Sequence, residues 1–92
     1  MQWEQAAVEK LNELVLVVRD PFREIIKNSA QSHAERYAES RKNPHVGIKE
    51  AVLGFLRARS HKLTAEGLLI LHEYQMEEDE FLKYNSTEQN QQ

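Results

Sequence analysis

The run LVLVV at residues 14–18 constrains the fold more than any other segment, because five consecutive apolar residues stand just ahead of Pro21. Apolar residues before the run recur every three or four positions from Ala7 onward, which is the spacing of one helix face. A strand of five residues would need a partner strand, and no other segment alternates with a period of two. We therefore expect a hydrophobic elbow between two helices, with side chains buried on nearly all sides.

Four helices are predicted around this elbow and two later joints. The second has the clearest start, because Asp20 can cap the unpaired amides of a first turn and Pro21 at the first helical position loses no hydrogen bond. Thr64 is a similar cap for the fourth helix. The predicted helices cover about residues 4–15, 21–41, 47–59 and 65–84. The expected fold is all-α, a small orthogonal bundle of about four helices in a single domain at 1–84, followed by a polar, disordered tail at 85–92.

One glycine and one acidic run within these helices lead to further predictions. Gly54 in the third helix costs about 1 kcal/mol relative to alanine, so we expect it either to permit close packing or to be tolerated. The acidic run EEDE at residues 77–80 falls near the end of the predicted fourth helix. Negative charge is unfavourable at a helix C-terminus, so this end is expected to fray.

Composition limits the class of protein. Ninety-two residues with an apolar share of 40% are sufficient for one modest core. The absence of cysteine excludes disulfides, thiolate zinc sites and cysteine-held iron–sulfur clusters within this chain, and it is typical of a reducing compartment. No signal-peptide pattern and no apolar run near the roughly 18 residues of a membrane span is present. A cytoplasmic location without membrane contact is the expectation.

Charge is unevenly distributed along the chain. The net charge of −3 divides into −2 for residues 1–35, +5 for residues 36–62 and −6 for residues 63–92. A basic middle beside an acidic end can pair within the fold, pair between subunits or meet a charged partner. Within the basic middle, a cluster at the joint between the third and fourth helices is the candidate interaction surface. Its members are Arg57, Arg59, His61 and Lys62.

The first nineteen residues carry a spaced pattern of one tryptophan, several small and apolar residues and a closing Val-Arg pair. Its positions are Trp3, Ala7, Leu11, Leu14, Val18 and Arg19. This pattern resembles the start of the protochlorophyllide reductase-type C-terminal domain, a small helical module that ends the B subunit of the light-independent reductase. Two later segments are similar to the same family: ERYA, which contains Tyr37, and KLTAEGL, which contains Thr64.

The chain also departs from that family. Val15 stands where the family has a proline, Leu16 and Val17 replace an aromatic pair, and extra residues separate the matching segments. The resemblance implies an accessory module of a photosynthesis-related tetrapyrrole system. It does not imply the reductase activity itself, because this chain has no cysteine to hold a cluster. No catalytic residue of the family has a counterpart here.

Residue chemistry favours a non-catalytic protein. The chain has four histidines, but no pair has the spacing that places two imidazoles on one helix face. His33 falls on the apolar face of the predicted second helix, where a hydrogen-bonded core histidine is expected. No nucleophile motif or glycine-rich phosphate loop is present. The sequence therefore predicts no catalytic residue, no metal ligand and no cofactor.

Two functions remain. A protein-interaction or accessory module is favoured, because the elbow and the fourth helix carry more apolar residues than one small core can hide. Its partner would be another protein or a second copy, and a homodimer that buries the fourth helix against residues 36–62 is the concrete version. The alternative is a helix-turn-helix-like nucleic-acid-binding protein. Acidic and apolar residues dominate its would-be reading helix, so repulsion by phosphate makes nucleic acid an unexpected partner.

Overall fold

A computed structural model describes residues 1–82 of the chain. Most of them belong to α1 (Gln5–Leu14), α2 (Phe22–Ser40), α3 (Ile48–Arg59) and α4 (Ala65–Glu73). The predicted all-α class is confirmed. The predicted end of the domain at residue 84 and the predicted tail at 85–92 lie outside the described residues. Within residues 1–82, no helix is both long and apolar enough to cross a membrane.

The centre of the fold is the contact between α2 and α3. Residues 50–57 of α3 are all buried, and they pack against both α2 and α1. The two helices come close together at Gly54, where an added Cβ would lie 2.5 Å from the carbonyl oxygen of Ala30 and 2.6 Å from the amide nitrogen of Ala34. Such distances leave no room for a side chain. The prediction that Gly54 permits close packing is confirmed.

The elbow lies where it was predicted, but its burial was predicted wrongly. A 3₁₀ helix at Val15–Val17 joins α1 to α2, so the run is not part of a β-ladder. Val15 is 4% exposed and belongs to the core, whereas Leu16 and Val17 are 65% and 68% exposed. A 3₁₀ turn has three residues per turn, so consecutive side chains point in three different directions. Only one of these three directions faces the core.

The start of α2 also differs from its prediction. The helix begins at Phe22, Pro21 occupies the cap position after a cis peptide bond with Asp20, and no side chain caps the helix. Asp20 instead lies 3.9 Å from a guanidinium nitrogen of Arg23. The buried face of α2 begins further along the helix, at Ala30, and leaves the apolar side chains of the first turn exposed.

The predicted fourth helix is two separate segments. α4 ends at Glu73, and Gln75 adopts a φ of 59°. The amide of Met76 then donates to the carbonyl of Leu71 at 2.9 Å, as in a Schellman motif. This turn usually contains glycine, so the glutamine gave no signal in the sequence. A second helical segment at residues 78–82 follows and returns to the core through Phe81, which is fully buried.

The acidic run therefore lies at the beginning of a helical segment, and its predicted position near the C-terminus of a long helix was wrong. The helix end that was predicted to fray, at residue 84, lies outside the described residues. The amide of Glu77 donates to the carboxylate of Glu80 at 3.1 Å. Negative charge is favourable at this end of a helix. At the start of α4 the predicted cap is confirmed, because the hydroxyl of Thr64 accepts a hydrogen bond of 2.9 Å from the amide of Gly67.

A short parallel ladder was missed. β1 (Gln2–Trp3) pairs with β2 (His45–Val46), and the amide of Glu4 extends the pairing by donating to Val46 at 3.0 Å. Two residues are too few to show an alternating pattern, so no sequence signal marks this ladder. It fixes the chain before α1 against the chain before α3. The indole of Trp3 adds a hydrogen bond of 2.9 Å to the carboxylate of Glu35 on α2.

The close approach of α2 and α3 predicts a large effect of Gly54→Ala. The methyl group would force two backbones apart, so the free energy of unfolding should fall by about 2 to 3 kcal/mol. Gly67→Ala is the matched control, because its added Cβ would meet only side-chain atoms, at 3.2 Å and beyond, and alanine favours a helix by about 1 kcal/mol. Urea unfolding followed by circular dichroism measures both variants. Equal stability of Gly54→Ala and the wild type would contradict this packing.

Candidate functional site

The predicted basic cluster occupies the end of α3 and the joint to α4. Arg57 is only 6% exposed, whereas Arg59, His61 and Lys62 are exposed. The guanidinium of Arg59 lies 5.6 Å from the ring centroid of Phe55 and 3.9 Å from the carboxylate of Glu66. The second distance exceeds a hydrogen bond, so Glu66 screens Arg59 only weakly.

Three of the four predicted residues meet residues of α2 in one surface hollow, the cationic hollow. It has a volume of about 330 Å³. Its polar lining comprises Ser29, His33, Arg57, Arg59, Ser60 and His61. His33 was expected to be a hydrogen-bonded core histidine; it is half-buried and lines this hollow. Sequence reasoning missed Ser29 and His33 as members, because only the packing of α2 on α3 brings them to the end of α3.

Lys62 is separated from this group. It lines a neighbouring cavity of about 180 Å³, where apolar side chains from α3, the joint, α4 and the helical segment 78–82 meet polar and charged side chains of the joint and of α4. Arg59 and Ser60 border both cavities. The predicted surface is thus divided between two cavities, and the side chain of Arg59 lies between them.

The elbow carries a group of exposed apolar side chains. Four large apolar side chains, which we call the elbow patch, are each more than 60% exposed within a ten-residue segment. They are Leu16, Val17, Phe22 and Ile25. The 3₁₀ helix that carries the first two packs against α2, which carries the others. Contiguous exposed apolar surface in a soluble protein often marks a site of interaction.

A cluster of charged side chains near β2 stabilises the fold. The guanidinium of Arg41 bridges the carboxylates of Glu50 and Glu80, each at 3.2 Å. Glu50 is 4% exposed and also accepts a hydrogen bond of 2.9 Å from the amide of Gly47. This cluster ties the end of α2 to the start of α3 and to residues 78–82. Its two carboxylates share an arginine, an arrangement typical of a structural ion pair.

The residues of the family-like pattern are distributed through the molecule. Ala7, Leu11 and Tyr37 are buried in the core, where the Tyr37 hydroxyl donates to the carbonyl of Phe81 at 3.0 Å. The half-buried members are Trp3, Leu14 and Val18, and the exposed members are Arg19 and Thr64. Most of them contribute to packing or helix capping, and Trp3 and Leu11 also line one surface cavity.

The helix-turn-helix alternative would place α4 against nucleic acid. The exposed residues of α4 include Glu66, Leu69 and Glu73. Two carboxylates on this face would repel phosphate groups, whereas a reading helix uses residues such as arginine, lysine or asparagine. The alternative stays a prediction that this geometry does not favour.

Comparison of the chain with protein-family models, curated proteins and solved structures finds no match. Among residues 1–82, no three histidine or acidic side chains lie close enough together to hold a metal ion. The elbow patch and the cationic hollow are the candidate functional surfaces of the described residues.

The structural role of the charge cluster predicts the effect of Glu50→Gln. The amide can still accept from Gly47, but Arg41 loses a buried charged partner, so stability should fall by about 2 kcal/mol. Glu13→Gln is the control, because its side chain is 69% exposed and pairs with Lys10 at the surface, where an ion pair contributes less than about 1 kcal/mol. Urea unfolding at neutral pH compares the two. Equal losses would show that Glu50 contributes no more than a surface charge.

Proposed function

We propose that this protein is a non-catalytic interaction module that associates with a second copy of itself through the elbow patch. The main support for this proposal is the exposure of four apolar side chains, each above 60%: Leu16, Val17, Phe22 and Ile25. Full burial of one such side chain contributes about 1.5 to 3 kcal/mol. Four of them together form an apolar centre of the kind found in stable interfaces.

The elbow patch is held in place before any partner arrives. Val15 anchors it in the core, and the side chain of Arg23 donates to the carbonyl of Val18 at 2.9 Å and to that of Leu16 at 3.4 Å. These bonds fix the 3₁₀ helix against the first turn of α2. Little conformational freedom would be lost on binding, which lowers the cost of association.

The charges around the patch favour a second copy as the partner. Exposed Arg19 and Asp20 lie between the two halves of the patch, and Glu24 lies beside Ile25 in the sequence. A two-fold axis places a surface against itself, so the arginine of one copy can face a carboxylate of the other. A surface with one sign of charge would repel itself.

The geometry supports a dimer interface at the elbow patch more than the interface predicted from the sequence, in which the fourth helix covers residues 36–62. On α4, Leu69 is 70% exposed, but its exposed neighbours include Glu66 and Glu73. The two versions differ in their response to salt. Association through α4 and basic residues would weaken as salt screens the charges, whereas an apolar interface would persist.

Sedimentation velocity tests this proposal. The wild type should form a concentration-dependent dimer that persists in 0.5 M salt, a condition with a Debye length of about 4 Å. Val17→Ser combined with Phe22→Ser should weaken the dimer at least about tenfold, because two exposed apolar side chains are removed from the interface. Leu69→Ser is the matched control, since it removes an equally exposed apolar side chain from α4.

Each other outcome is informative. A protein that stays strictly monomeric at millimolar concentration would rule out the proposed homodimer. A dimer that Leu69→Ser dissociates and the double variant does not would assign the interface to α4. Circular dichroism of each variant establishes that the fold is retained, as expected for side chains that are mostly in solvent.

We propose further that the module is a divergent relative of the protochlorophyllide reductase-type C-terminal domain. The support is the spacing from Trp3 to Arg19 around an elbow between two helices. An accessory role in a photosynthesis-related tetrapyrrole system follows from that kinship. Neighbouring genes should then encode tetrapyrrole or photosynthetic proteins in more genomes than chance allows. A neighbourhood without such genes across genomes that carry the chain would argue against the kinship, while leaving the elbow interface untouched.

A further inference from the structure

The cavity that Lys62 lines, which we call the joint cavity, lies where the end of α3, the joint to α4, α4 itself and the helical segment 78–82 meet. Its apolar lining comprises Leu56, Leu63, Ile70 and Phe81. Leu56 and Phe81 are buried members of the core, and Leu63 and Ile70 pack against that core while partly buried. Because core side chains are held by their packing, the apolar wall of this cavity is formed before a ligand arrives.

A glycine helps to keep the joint cavity open. Gly67 lines it, and an added Cβ would lie 3.2 Å from Cδ1 of Leu63, 3.2 Å from Oγ1 of Thr64 and 3.8 Å from Cδ2 of Leu56. All three atoms belong to residues that line the same cavity. A methyl group at residue 67 would therefore narrow the space between them.

The charged residues of the joint cavity are two cations and one carboxylate. They are Arg59, Lys62 and Glu66, and all three are exposed. Glu66 lies 3.9 Å from Arg59, whereas Lys62 has no ion-pair partner within residues 1–82. The described charges at the cavity therefore sum to one positive charge beside an apolar wall. A ligand that complements both features has an apolar body and a single negative charge.

We propose that the joint cavity binds a small organic acid with an apolar body, such as a monocyclic aromatic carboxylate, whose carboxylate pairs with Lys62. A cavity of about 150 Å³ lined by leucine, isoleucine and phenylalanine is large enough to bind benzene. The volume of about 180 Å³ found here therefore suits a single ring. None of the lining residues belongs to the elbow patch, so this inference does not depend on the proposed dimer.

A ligand of higher negative charge suits the joint cavity less well. A phosphate dianion or a nucleic acid would also lie near the carboxylate of Glu66, which lines the same cavity. The apolar wall offers no donors to the additional oxygen atoms. A monoanion needs only one cation, and Lys62 supplies it.

Titration of the full chain with sodium benzoate, followed by amide and methyl signals in two-dimensional NMR at constant ionic strength, tests the site. Saturable changes are expected at residues 60–67, Ile70 and Phe81. Benzyl alcohol keeps the ring and lacks the charge, so it should bind about threefold more weakly through loss of the exposed ion pair. Acetate keeps the charge and lacks the ring, so it should give no saturable change.

Two variants separate the contribution of the charge from that of the cavity. Lys62→Gln should weaken the affinity for benzoate about threefold and leave the affinity for benzyl alcohol unchanged. Gly67→Ala should weaken the affinity for both probes at least about fivefold, because the methyl group takes space that the ring needs. Lys49→Gln is the matched control, since it removes the same charge from the start of α3, outside the joint cavity, and should change the affinity less than about 1.5-fold.

The opposite results would overturn the proposal. Changes that do not saturate, or an equal loss in Lys62→Gln and Lys49→Gln, would show non-specific attraction of anions. Equal affinity for benzoate and benzyl alcohol would show that no carboxylate is recognised. Changes at the cavity residues on raising the protein concentration alone would assign the cavity to a second copy.

Unfolding of the variants is measured separately. Both lysine substitutions are on exposed side chains, and alanine at residue 67 favours a helix. Urea midpoints at or near that of the wild type are therefore expected for all three variants. A loss of affinity at an unchanged midpoint then reports on the cavity and not on the stability of the fold.

Discussion

The close approach of α2 and α3 at Gly54 is the constraint on which the rest of the structure depends. Small residues, Ala30 and Ala34 on α2 and Gly54 on α3, allow the two backbones to come near contact. α3 is then enclosed over residues 50–57, and α1 and residues 78–82 complete the enclosure. The core of this small chain is therefore organised around one helix. Leu16, Val17, Phe22 and Ile25 lie outside this enclosed core.

That arrangement explains why the elbow patch is on the surface. The first turn of α2 precedes its buried face, which begins at Ala30, and the 3₁₀ helix directs only Val15 inward. The apolar residues that remain are held together by Arg23. At the other end of α3, the same packing carries His33 toward Arg57 and creates the cationic hollow. One helix contact thus positions two chemically different surfaces.

The fold class and most element boundaries could be predicted from the sequence, because periodicity and capping are local signals. The cap at Thr64 and the helix–helix elbow were found in this way. The exposure of Val17 could not be predicted, since the 3.6-residue period of an α-helix does not reveal a 3₁₀ turn. The break at Gln75 lacks the usual glycine, and the approach of His33 to His61 depends on packing between distant segments. The basic residues of the hollow were identified from the sequence, but their α2 partners were not.

The segment after α4 limits how far the chain can be shortened. Met76 and Phe81 are almost fully inside the core, Tyr37 donates to the backbone of Phe81, and Glu80 is bonded to Arg41. A truncation before residue 76 would open the interior to water and remove the acceptor of that tyrosine. The folding unit therefore includes residues 76–82, which follow the end of α4 at Glu73.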